Sequence, residues 1–229
     1  NYAAVSAPTV AGYTADQDTV PAETNQATTV KPESNAVNVS YTGNQTNLTV
    51  TFVDQDKGEA VVGTQILTGK VGDQVQAQTT VPAHYVLVNE NDKTVGQTFT
   101  SGDNSLTIKV NHQHSAELPA DFNGTTTRTI NFTGVNGTNP KAVTQTANWI
   151  TDTDLATGVT TYTSKDGYGA FDVPAVDGYT ADQDSVPAVT NQSTTAKPTN
   201  RTVTVTYKGK ATSLTVTYAD QDDGDTTVG

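Results

Sequence analysis

Apolar residues recur at every second position over much of the chain. In Arg201–Tyr207 the side chains of Val203, Val205 and Tyr207 fall on one face of an extended segment and threonines on the other. The same alternation runs through Leu48, Val50 and Phe52, through Leu106, Ile108 and Val110, through Leu214, Val216 and Tyr218, and more briefly through Ile130 and Phe132. A period of two sends alternate side chains to opposite faces, so each stretch predicts a half-buried β-strand. Only Val71–Thr80 and Glu117–Phe122 leave room for a short helix, and neither has a helical period.

The pattern repeats on a long scale. Residues 1–63 and 167–229 align without a gap at a shift of 166 residues, with 36 identities in 63 positions. Gly12-Tyr13-Thr14-Ala15-Asp16-Gln17-Asp18 recurs as Gly178-Tyr179-Thr180-Ala181-Asp182-Gln183-Asp184, and Asp54-Gln55-Asp56 as Asp220-Gln221-Asp222. A solenoid repeats every 20–50 residues or so. A period this long holds its own core, so the chain reads as a tandem array of whole domains that starts and stops inside the pattern.

Seams fall at Tyr41–Thr46, echoed at Tyr207–Thr212, and at Asn111–Asn123, where the strand pattern lapses. They divide the chain into an incomplete module (1–43), a complete one (44–113), a second complete one of another kind (114–209) and the start of a further module (210–229). Residues 211–229 copy only an opening strand, its turn and the start of the next strand. Alone, such a hairpin is marginal, so it is expected to be poorly ordered or paired along a sheet edge.

Composition sharpens this picture. Val, Leu, Ile and Phe total 44 of 229 residues, and 24 acidic against 12 basic residues leave a net charge of −12. Those values approach the signature of disorder. Threonine, however, makes up 45 residues. Thr and Val are β-branched and suit a pleated surface, so thin sheets with threonine-rich outer faces are the better reading. The scattered positive charges exclude a phosphate-tracking nucleic-acid surface. No apolar run approaches the 18 or so residues of a membrane span. Asn1 is not a natural start, so a mature product or an excised fragment is expected. With no Cys there is no disulfide, thiolate metal site or cysteine nucleophile, and the lack of both Cys and Met suits an exposed, oxidising setting.

Candidate chemistry is sparse. Asp54-Gln55-Asp56-Lys57-Gly58-Glu59 and Asp220-Gln221-Asp222-Asp223-Gly224-Asp225 place carboxylates at alternate positions, as calcium asks. The second copy, through Asp220, Asp222 and Asp225, is the better calcium candidate. The competing reading is a hairpin turn, opened by Asp and closed by Gly. Ala15–Asp18 and its copy Ala181–Asp184 read as solvated loops. His112 and His114 could supply half of a zinc site, but no third histidine lies near them in sequence. No nucleophile elbow, phosphate loop or HExxH is present, and no enzymatic activity or organic cofactor is expected. Trp149, the only tryptophan, has polar neighbours and could stack on a sugar face, with Tyr162 beside it. A lone Trp in a small β domain also serves as a core anchor.

Leu48–Glu59, followed by Leu67-Thr68-Gly69-Lys70-Val71-Gly72-Asp73 and closing at Ser105–Asn111, resembles the MucBP domain, the mucin-binding repeat of lactobacillus surface proteins. That family has a Gly-Tyr where this chain has His84-Tyr85. Thr127–Phe132, Val143–Trp149, Asp152–Thr163 and Val173–Tyr179 resemble its companion, the Mub B2-type module. The resemblance implies an α+β, mostly β fold: tandem small β-grasp, ubiquitin-like modules in an elongated array of a monomeric chain. It also implies a place on the Gram-positive cell wall and adhesion to host mucin glycoproteins through their glycans. A stalk that carries a distal binding domain, and a binder of a host protein such as immunoglobulin, are the alternatives. Mucus carries sialate and sulfate, so a chain at −12 gains no long-range attraction to it. Weak contacts multiplied along tethered repeats would supply the avidity.

Overall fold

The computed structural model describes residues 1–24, 27 and 36–227. The chain divides into one unit of Asn1–His114 with Asp154–Gly158, and a second of Ser115–Thr153 with Val159–Gly229. The first copy of the repeated segment carries β1 (Val5–Ser6), β2 (Tyr13–Ala15), β3 (Thr19–Val20) and β4 (Tyr41–Gly43). Then come β5 (Gln45–Asp54), β6 (Ala60–Lys70), β7 (Gln74–Gln78), β8 (Tyr85–Leu87), β9 (Thr94–Thr98) and β10 (Asn104–His112). After β11 (His114–Ser115) follow β12 (Thr125–Thr133), β13 (Val143–Asp154), β14 (Thr160–Ser164), β15 (Phe171–Asp172) and β16 (Tyr179–Ala181). The last are β17 (Ser185–Val186), β18 (Ser193–Thr194), β19 (Arg201–Gly209), β20 (Ala219–Asp220) and β21 (Thr226–Thr227).

The expected α+β, β-grasp class is corrected by this architecture. Among the described residues there is no α-helix, only one 3-10 turn at Glu90–Lys93. A β-grasp sheet closes around a helix; here the fold is nearly all β, arranged as a sandwich or half-barrel. The two stretches with room for a helix do not form one. Val71–Thr80 contains β7, which pairs with β9 as a ribbon. Glu117–Phe122 is irregular, with the Phe122 N–H on the Pro119 carbonyl. A six-residue segment is too short to repay helix nucleation.

The first unit has a four-stranded sheet in the order β6-β5-β10-β8. β5 and β10 are parallel, from Leu48 opposite Asn104 to Asp54 opposite Val110. The period-two residues Leu48, Val50, Phe52, Ile108 and Val110 are at most 2% exposed, and Val95 and Phe99 pack onto them from the end of the β7–β9 ribbon. Phe99 lies across Gly69 of β6, where a Cβ would fall 2.2 Å from its ring.

In the second unit the order is β16-β19-β12-β13-β14-β18. β12 and β19 are again parallel, from Arg128 opposite Arg201 to Thr133 opposite Thr206. Ile130, Phe132, Val186, Val205 and Tyr207 form its main core. Arg128 shares the inward phase of Ile130 and Phe132 and is 2% exposed. Among the described residues, no carboxylate hydrogen-bonds to it. Its guanidinium donates to Gln145 Oε1, to the Pro187 carbonyl at 2.7 Å and to the Gly169 carbonyl at 2.6 Å, and lies 5.2 Å from the Tyr168 ring centre.

Both copies of the repeated segment keep the same local pairing. Tyr13 opposes Gly43 and Ala15 opposes Tyr41, as Tyr179 opposes Gly209 and Ala181 opposes Tyr207. The hydroxyls of Tyr41 and Tyr207 reach the carbonyls of Pro8 and Pro174, each at 2.6 Å. The flanking strand differs: β19 has nine residues, β4 only three. Among the described residues, no strand does for the first copy what β12 does for the second. Val5 and Val37 are accordingly 63% and 57% exposed, whereas their copies Phe171 and Val203 are half-buried; Val186 is 2% exposed and its copy Val20 only half-buried. Residues 25, 26 and 28–35 of the first copy lie outside the described residues.

The segment 211–218 forms no strand, and β20 and β21 make a short hairpin after it. Leu214 is 88% exposed, whereas its copy Leu48 is 1% exposed. Residues 228 and 229 lie outside the described residues.

Two consequences can be measured by chemical denaturation. Leu48→Ala should cost about 2–5 kcal/mol, as a buried leucine does, while Leu214→Ala, the same change in the same local sequence, should stay within about 0.5 kcal/mol. Arg128→Met keeps much of the volume but strands Gln145 Oε1 and the Pro187 carbonyl, while the Gly169 carbonyl keeps the Gln145 amide, so the second unit should lose about 2–4 kcal/mol; an Arg128→Met variant of unchanged stability would show that the guanidinium only fills space.

Candidate functional site

The best-defined polar site lies at the end of the first core. The inward phase of β5 passes from Leu48 through Phe52 to Asp54, so a carboxylate takes the last core position and is 0% exposed. Its Oδ1 accepts the Asp56 N–H at 2.9 Å, and its backbone carbonyl accepts the Glu59 N–H at 2.8 Å. The acidic stretch is thus a hairpin turn, with Glu59 at a φ of 62°. β10 outruns its partner, and its inward phase continues from Ile108 and Val110 to His112. There Nε2 lies 2.8 Å from Asp54 Oδ2 and Nδ1 lies 2.7 Å from Asp154 Oδ2. Tyr85 closes over the imidazole edge to face at 5.5 Å.

A carboxylate in its ionised form only accepts hydrogen bonds, so these two contacts favour the imidazole with a proton on each ring nitrogen. The hydrogen bonds to Asp54 and Asp154 hold the His112 pKa above its usual 6.5. For Asp154, burial pushes the pKa up, but hydrogen bonds from Thr157, His112 and the Ala156 N–H outweigh it and bring it from 3.8 to about 2. Burial and the two carboxylates raise the Tyr85 pKa.

Asp54, Asp56 and His112 place one ligand atom each within 4.8 Å of one another, the only such group among the described residues. Their atoms are already matched, since Asp56 Oδ2 accepts the His112 backbone N–H at 3.0 Å. The arrangement is a hydrogen-bonded clamp that ties β10, the β5–β6 turn and the Asp154–Gly158 turn together within the first unit. His114 is not part of it. Asp154 carried no signal in the sequence.

Asp220, Asp222 and Asp225, the calcium candidates, lie in the turn between β20 and β21. Asp222 N–H reaches Asp220 Oδ1 and Asp225 N–H the Asp220 carbonyl, each at 2.9 Å, as in the first copy. Their carboxylates do not form a group of the kind at Asp54.

Trp149 and Tyr162, the glycan candidates, do come together, in a buried cluster with Phe122; they are 7% and 6% exposed. Phe122 meets the Tyr162 ring edge to face at 5.2 Å. The indole N–H and the Tyr168 hydroxyl both donate to Thr126 Oγ1, at 2.8 and 2.7 Å. Beside this cluster is a cavity of about 290 Å³, lined by Thr126, Trp149, Tyr168, Gln192, Lys197 and Arg201 among others. Lys197 is paired with Asp121 at 2.6 Å on the surface. The sequence marked neither cation.

The clamp has a pH signature. His112 titrates higher folded than unfolded, so its contribution is complete below about 6.5 and is lost as pH rises through the folded value. Asp154 titrates lower folded, so its contribution is present above 3.8 and is lost as pH falls towards 2. The thermal midpoint of the first unit should therefore be highest between about pH 4 and 6.5. His112→Gln should lower that plateau and flatten the alkaline fall; a variant whose midpoint-against-pH curve parallels the parent's would sink the clamp.

The Muc B2-like domain model matches residues 1–45 and 118–211, and the mucin binding domain model matches residues 46–114. Both are mucus-binding adhesin families and not enzyme families. Among solved structures, the chain is similar to Mub-RV, at 23% identity over 72% of this chain and 99% of that one, with a TM-score of 0.35. It is similar to the type 2 repeat of the mucus binding protein MUB from Lactobacillus reuteri, at 18% identity over 72% and 99%, with a TM-score of 0.31. A third likeness is to the MucBP domain of the adhesion protein from Pediococcus pentosaceus, at 25% identity over 38% and 99%, with a TM-score of 0.29. No curated protein matches the chain. With the first family model covering more than half of its residues and the second filling the interval between, the chain belongs to the Muc B2-like family of mucus-binding repeats and carries a mucin binding domain within it.

Proposed function

We propose that the chain is a non-enzymatic repeat of an extracellular bacterial surface adhesin that holds host mucin glycoproteins through many weak contacts to their glycans. The observation that carries this reading is the mucin binding domain match over residues 46–114, flanked on both sides by Muc B2-like sequence. The outer face of the first sheet is suited to such contacts. Thr64, Thr68, Ser105 and Thr107 point outward with the exposed Ile66, giving hydroxyls and one apolar spot. Each contact is weak, and tethered copies raise the effective concentration of the next.

A spacer role is the second reading, and one observation favours it. Trp149 and Tyr162, the residues best able to stack on a sugar, are spent in a buried cluster.

A mucin and glycan array probed with this chain separates the two. Glycan-dependent retention is expected, and it should hold or increase as added salt shortens the Debye length from about 30 to about 8 Å, because like charge opposes encounter. A folded chain that is not retained identifies a spacer. Retention that survives removal of the glycans identifies a protein ligand, and immunoglobulin printed on the same array tests that partner directly.

A further inference from the structure

The two copies of the repeated segment share a backbone but not their surroundings, and the difference falls on one small surface. In the first copy, Gly43 lies against the turn between β6 and β7, and Gly12 against Ser101 of the β9–β10 loop and the Val71 side chain of that turn. A Cβ on Gly43 would fall 2.0 Å from the Val71 carbonyl oxygen, and one on Gly12 2.5 Å from the Ser101 side chain. Asn44, the next residue, donates its N–H to the Gly12 carbonyl at 2.8 Å and accepts the Val71 N–H at 3.0 Å. Gly12 has a φ of +80°, which explains its glycine locally. Gly43 has no such φ. What requires glycine there is the closeness of the Val71 backbone.

In the second copy, Gly178 and Gly209 hold the same places. Lys210 donates its N–H to the Gly178 carbonyl at 2.8 Å, as Asn44 does to Gly12. Yet nothing lies within 4 Å of where a Cβ would stand on either glycine, and both are exposed. Gly209 has neither a positive φ nor a neighbour in its own unit to account for it. In the first copy the Tyr13 hydroxyl also lies against this turn, 2.6 Å from where a Cβ on Gly72 would stand, whereas the Tyr179 hydroxyl accepts the Asn136 N–H at 2.8 Å.

We propose that the exposed Gly178–Gly209–Lys210 surface is a docking seat for a module of the 44–113 kind, which lays its Val71-type turn across it as Val71 lies on Gly12 and Gly43. Residues 211–229 copy 45–63 in sequence and lead directly from this seat, as 45–63 lead from Gly43 in the first copy. Each Muc B2-type segment then presents a fitted end to the mucin binding domain beside it, and the modules are not independent beads.

The test lengthens this chain after Gly229 with a second copy of residues 64–113, which completes the module begun at 211. Hydrogen exchange is read at the amide of the added Val71 copy. Protection within about tenfold of Val71 itself is expected. Gly209→Val should cut that protection by roughly tenfold or more and lower the added module's thermal midpoint, while leaving the unfolding of the 229-residue chain unchanged. Gly43→Val should do the same at Val71 in the first module. An added module whose protection survives Gly209→Val overturns the proposal, and so does one that stays unprotected while the first module of matching sequence is protected. Neither outcome bears on mucin binding.

Discussion

Each unit depends on one non-local pairing. β5 must lie beside β10, and β12 beside β19, before the fully buried side chains of the two strands meet in one core. Both pairs are parallel, so no tight turn can join them, and the chain between must cross over the sheet. That crossover is commonly helical. Here the helix formers are scarce and threonine abounds, so short antiparallel ribbons cross instead: β7 with β9 in one unit, β15 with β17 in the other. The ribbons carry Val95 and Val186 onto the sheets. The cores are therefore one sheet face and a ribbon deep, which is why the few large apolar residues are buried so completely.

Most of the long strands were legible because apolar residues alternate in them with polar ones, threonine most often. The ribbons were not. Gln74–Gln78 offers only Val75 and Ala77 as its apolar phase, too little to separate a strand from a helix. The repeated segment shows the limit from the other side. Identical stretches give identical short pairings, down to the tyrosine hydroxyl on a proline carbonyl, because those bonds are local. The long strand forms only where β12 is present to pair with it. Local sequence writes the turns, and a distant partner decides the sheet.

The polar sites follow the same division. That Asp54 opens a turn could be read directly, and so could the inward phase that carries Arg128 and His112 towards the cores. What those charges meet could not. Asp154 is 42 residues from His112, and Arg128 is satisfied by the carbonyls of Gly169 and Pro187, which any residue could supply. Trp149 shows the reverse: the residue type suggested a surface role, and its donation to Thr126 draws it inside.

The parallel pairs also set how tension would pass through each unit. The chain enters the first sheet at the start of β5 and leaves at the end of β10, which lie at opposite ends of one ladder. Pulling on the two ends therefore slides β5 against β10 and loads all seven register pairs, from Leu48–Asn104 to Asp54–Val110, together. A hairpin pulled from its open end would instead unzip rung by rung. β12 and β19 are arranged alike over six pairs. The ribbons and loops of each crossover lie off the line of force until the ladder fails. Resistance to stretching thus resides in the same pairing that makes each fold possible, and it acts as a single shear bond whose lifetime is set by an unfolding rate.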